Sequence, residues 1–144
     1  MSLRPPGGAP PPANVDVDGR TVDLAGLAVE VCKRYDREFP DERDRYGDAG
    51  AAWCRHDNQW LLSWTVDDVR GATDLCEQVA WLAGVLGARD FPLDRLGRNL
   101  EIAGEVVTER DVFGAASAAA ATRLRAAAAT LIPAVSDDAT TPDA

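Results

Sequence analysis

The residues able to do chemistry gather in one stretch, Asp48 to Asp68, DAGAAWCRHDNQWLLSWTVDD. It holds the single histidine, His56, together with Cys54, Asp57 and three of the four tryptophans. Metal ligation is the first chemistry to consider. Cys54 and His56 are two residues apart, which on a helix separates them by about 200°, so they cannot face one ion together. There is no second histidine, no CxxC, no HExxH and no Glu-x-x-His pair of the di-iron bundle type. No metal and no cofactor are expected. The nucleophile elbow, the phosphate-binding glycine loop and the dinucleotide fingerprint are missing as well. A lone histidine without a partner motif does not specify acid–base catalysis, so no catalytic residue is assigned.

Asp57 is more informative. At about 100° per residue, Trp53, Asp57, Trp60 and Trp64 fall within roughly 60° of one another, with His56 at the border of that stripe. Cys54, Leu61 and Thr65 adjoin it, whereas Arg55, Asn58, Gln59 and Ser63 point away. Each indole can remove on the order of 150–250 Å² from water, so the tryptophan side is expected to face the centre of the core. A carboxylate placed there is costly unless it is paired or takes up a proton. The favoured expectation is a structural ion pair with Arg89, Arg95 or Arg98. The alternative is a pocket acid that contacts a ligand, with Trp53, Trp60, Trp64 and His56 as its surroundings.

Helices must position these residues. Thr21 is the expected cap of the first, in which Leu24, Leu27, Ala28, Val31, Cys32 and Tyr35 recur at helical spacing until Pro40 stops it. The segment PDERDRYGD reads as a solvated connector, with a short helical turn from Asp41 to Tyr46 ended by Gly47. Asp48 caps the tryptophan helix and Gly71 ends the segment after it. Thr73 is the expected cap of the third helix, whose inner stripe is Leu75, Val79, Leu82 and Leu86. Phe91-Pro92 opens a fourth helix carrying Leu93, Leu96, Leu100, Ala103 and Val107. Thr108 and Asp111 resemble a capping box for a fifth, alanine-rich helix ended by Pro133. No strand is expected.

Trp81 is the misfit of the third helix. It falls opposite the inner stripe, beside Gly84 and Ala88, and these three form a candidate interface. Either the fifth helix or a second chain must cover them, and the alanine tract makes the fifth helix the favoured cover.

The whole is expected to be all-α: a compact bundle of four or five helices over residues 18–132, with a disordered Pro/Gly-rich tail over 1–17 and a disordered polar tail over 133–144. A formal charge of −9 speaks against non-specific nucleic-acid binding and against docking on anionic lipid. Three widely spaced cysteines, the lack of a signal-peptide core and the lack of a long apolar run give a cytoplasmic expectation. The segment WLAGVLGARDFPLDRLGRNLEIAGEVV resembles the helical subdomain that caps the ligand in some cobalamin-binding proteins. The Asp-x-His-x-x-Gly motif of their cobalamin-binding domain is absent, so the likeness implies a helical fold and no cofactor. The leading functional expectation is a non-catalytic module acting through protein contacts, as a homodimer or with a protein partner. A small-molecule-binding bundle with a tryptophan-lined pocket is the alternative, and an enzyme comes third.

Overall fold

The computed structural model describes residues 10–132, so most of both expected tails lies outside the described residues. Where extended, unstructured chain and no strand were expected, Asn14–Val17 (β1) pairs antiparallel with Arg20–Asp23 (β2). The turn is Asp18-Gly19, both at positive φ, the two-residue geometry whose twist suits a hairpin. Val15, Val17 and Val22 share the inner face, and Val17 and Val22 are buried. Thr21 lies on the other face and donates to Asp16, so it is no helix cap.

Asp23 caps the first helix instead, its carboxylate accepting from the Gly26 amide at 2.9 Å. That helix, α1 (Leu24–Glu38), buries Leu24, Leu27, Ala28, Val31, Cys32 and Tyr35, the same six residues its periodicity marks. The next, α2 (Asp41–Val69), is bent at Gly47, where φ 62° and ψ −155° interrupt the helical backbone. This is a conformation that only glycine adopts at low cost. The bend makes Asp41–Tyr46 a short arm folded back on the rest of α2, and it buries Glu42. The expected helical turn from Asp41 to Tyr46, ended by Gly47, is present, and Asp41, Arg43, Asp44 and Arg45 are exposed; the difference from a solvated connector is Glu42, which is buried.

Beyond the bend, α2 is turned differently from the expected orientation. Asn58, Leu61, Leu62, Ser63, Trp64, Thr65 and Val66 are buried, while Trp53 and Trp60 are only half-buried. Two residues expected to face outward, Asn58 and Ser63, are therefore inside. The physical reason is that α2 packs against α1, α3 and α5 at once, so burial runs around it and its tryptophans do not single out one inner face. Compact aliphatic side chains and Trp64 fill the buried positions, and the indoles of Trp53 and Trp60 take the flanks.

The third helix, α3 (Leu75–Gly87), is capped by Asp74 rather than Thr73, with its carboxylate on the amides of Cys76 and Glu77. Pro92 caps α4 (Leu93–Arg110), and Asp111 ends it in the left-handed conformation. The expected capping box at Thr108 does not form, because α4 runs through Thr108 and Asp111 terminates this helix instead of starting the next. A short turn of 3-10 helix at Gly114–Ala116 leads into α5 (Ser117–Ala129). The alanines of α5 pack chiefly against α4, where Gly104 lets its backbone approach the Ala121 carbonyl. The five helices form a helical bundle around Leu62, Leu75, Val79, Leu100, Val106, Phe113 and Leu124. Among the described residues, no helix is long and apolar enough to cross a membrane.

Candidate functional site

The bend at Gly47 creates the site. It swings Tyr46 back over the start of the long α2 segment, close enough that a Cβ at Gly50 would collide with that of Tyr46. The Tyr46 ring reaches Phe91 in the turn before α4, with centroids 6.0 Å apart. Under this roof lies a cavity of about 100 Å³ between α1, α2, the end of α3 and α4. Its walls are mostly apolar, with Trp53, Leu61, Leu86, Phe91 and Leu96 contributing most of the apolar side chains.

Two polar groups enter through pairs that satisfy each other. Asn58 and Asn99 exchange amide hydrogen bonds of 3.0 and 2.8 Å, tying α2 to α4. The Glu42 carboxylate accepts from the Tyr35 hydroxyl at 3.0 Å and from the Arg95 guanidinium at 2.7 Å. Burial, then the adjacent Glu42 charge, drives the Tyr35 pKa upward, so this phenol stays a donor. Hydrogen bonds from Arg95 to Glu42 and Asp41 raise the guanidinium pKa further.

Asp57 is different. Its side chain is 15 % exposed, and His56 Nδ1 lies 3.1 Å from one carboxylate oxygen. Burial pushes its pKa from 3.8 up to about 6, against the opposing pull of His56 and the more distant positive charge of Arg89. The ion-pair partner the structure gives Asp57 is His56, where Arg89, Arg95 or Arg98 was expected. Arg95 is committed to Asp41 and Glu42, and Arg98 to Glu38, Glu101 and Glu105. Arg89 stands over the Trp53 ring, 5.8 Å from its centroid. Deeper in the same wall, the Asn58 amide lies 3.4 Å from Cys54 Sγ and 3.6 Å from Cys32 Sγ. A hydrogen bond with Cys32, together with burial, raises the Cys54 pKa and keeps its thiol protonated.

Of the five residues expected around a pocket, Trp53 and Asp57 line this one, and His56 reaches it through Asp57. Trp60 and Trp64 do not. They stack on each other at 5.9 Å, and Trp64 meets Trp81 of α3 edge-on at 6.4 Å. Among the described residues the candidate interface is open: Trp81 is 38 % exposed, Ala88 is exposed, and nothing lies within 4 Å of a Cβ built on Gly84. The fifth helix does not cover it, because the small side chains of α5 are spent on the close approach to α4. Asn99, Glu42, Tyr35 and Phe91 were not assigned to a site from sequence. A signal existed for one pair, since Tyr35 and Glu42 are seven residues apart across a Pro stop, close enough for the chain to double back.

Among the described residues, no three His, Cys, Asp or Glu side chains converge as a metal-binding group. No protein-family model, no curated protein and no solved structure matches the chain.

Proposed function

We propose that this chain is a small-molecule-binding helical module whose ligand occupies the cavity between α1, α2 and α4. One observation carries the reading: an ionisable carboxylate, Asp57, is held in a mostly apolar cavity and, among the described residues, has no arginine contact of the kind Glu42 has. Proteins remove or neutralise such groups unless they serve a purpose, and a convergent polar group in an apolar recess is the usual form of a ligand site. Native mass spectrometry of protein purified from its own host tests it. A retained adduct is expected, and it should be lost in Leu86→Trp, which fills the cavity, while the variant keeps its helical circular dichroism. An adduct that survives in the folded variant places the ligand elsewhere.

A second reading, action through protein contacts, is supported by the exposed Trp81, since large exposed aromatic residues are typical interface anchors. Light scattering with thermal melts on Trp81→Ala separates the cases. Conversion of a dimer to a folded monomer supports self-association, and an unchanged mass with a lower melting temperature makes Trp81 an intramolecular packing residue. A cytoplasmic location belongs to the same proposal, and the support for it is three cysteines that are all unbridged.

A further inference from the structure

We propose that the cavity selects a small organic ammonium, an alkyl- or arylamine in its protonated form, seated on Asp57 and against the Trp53 and Tyr46 rings; this rests on the small-molecule reading above. Asp57 is the carboxylate of the lining that favours a cation: Glu42 is paired with Arg95 at 2.7 Å, whereas the ion-pair partner of Asp57 is His56, and Arg89 lies over the Trp53 ring. The rings of Trp53, Tyr46, Tyr35 and Phe91 are part of the lining, and two of them already attract a cation: Arg89 lies over Trp53 at 5.8 Å and Arg45 over Tyr46 at 5.7 Å. The net charge of −9 draws cations toward the protein as a whole. A volume of about 100 Å³ limits the ligand to one ring or a short chain.

The groups facing Asp57 fix the pH behaviour. On α2 these are His56, Cys54, Tyr46 and Glu42; α1 contributes Tyr35, and the turn after α3 contributes Arg89. Glu42 is neutralised by Arg95, and Tyr35 and Cys54 keep their protons, so Asp57 is the acid that changes state near pH 6. An ammonium needs Asp57 ionised. Below about pH 6 the competent fraction falls, and apparent affinity falls with it, roughly tenfold between pH 7 and pH 5.

Calorimetry with three probes tests the inference: benzylammonium, benzyl alcohol and phenylacetate. Benzylammonium is expected to bind at least about tenfold more tightly than the alcohol at pH 7, and to weaken about tenfold at pH 5. Asp57→Asn should abolish that preference and leave the alcohol unaffected, while Arg89→Gln should strengthen the amine by removing a like charge. Equal binding of amine and alcohol overturns the ammonium assignment and leaves the pocket standing. So does tighter binding of phenylacetate that is lost in Arg89→Gln, which would make the site an anion pocket. If none of the probes binds the folded wild-type chain, the pocket reading falls together with the inference.

Discussion

Replacing Asp57 by Asn should stabilise the protein at neutral pH. The carboxyl has a pKa of 3.8 in the unfolded chain and about 6 in the folded one, raised first by burial. That gap corresponds to roughly 3 kcal/mol of unfavourable work in holding the ionised group inside. Between these two values the folded protein binds a proton that the unfolded chain has released, so stability falls as pH rises through the window. Below 3.8 both states are protonated and the penalty vanishes; above about 6 it is present in full. Asparagine keeps the shape and removes the charge, and the hydrogen bond of the carboxylate with His56 is already contained in the folded value of about 6. The net gain expected at pH 7 is therefore up to about 3 kcal/mol. Urea unfolding followed by tryptophan fluorescence, at steps from about pH 4 to pH 7, measures it for both proteins. The decisive quantity is the difference between mutant and wild type, because the other carboxylates of the chain cancel in it. That difference should climb by about 2–3 kcal/mol across the window. A flat difference, or one that falls with pH, would mean that Asp57 is held as an ion pair and that burial does not govern it.

Arg95→Ala should cost about 2–3 kcal/mol, since it leaves the buried Glu42 charge with the Tyr35 hydroxyl but no cation; Glu42→Gln in the same background should recover part of the loss in a thermal melt. Gly47→Ala should destabilise by roughly 1–3 kcal/mol through its backbone conformation alone, and an unchanged melting temperature would mean that α2 does not bend there. Leu61→Ala, at a fully buried position, should cost about 2–5 kcal/mol. Trp60→Ala should cost less than Leu61→Ala despite the larger side chain, because Trp60 is only half-buried, and the reverse order in urea midpoints would restore the tryptophan-centred core.

The sequence by itself determined that the chain is helical, where most helices stop, and the buried face of α1. Those features are local. A 3.6-residue apolar period, a proline after Phe39 and a proline before Leu93 act within a few residues and need no neighbour to be read. The hairpin was equally local: Asp18-Gly19 between alternating valines is its signature, and its brevity beside the proline-rich start obscured it. Tertiary structure decided the rest. The face that α2 turns inward depends on which helices surround it, and with three of them its tryptophans could not settle the matter. The docking of α5 depends on where a partner offers small residues, and α4 offered Gly104 while the Trp81 face stayed open. The cavity itself exists because the backbone at Gly47 folds Tyr46 and Glu42 back onto residues distant in the chain. A glycine in the sequence permits that bend, but only the packed helices supply the burial that makes it favourable and raises the pKa of Asp57.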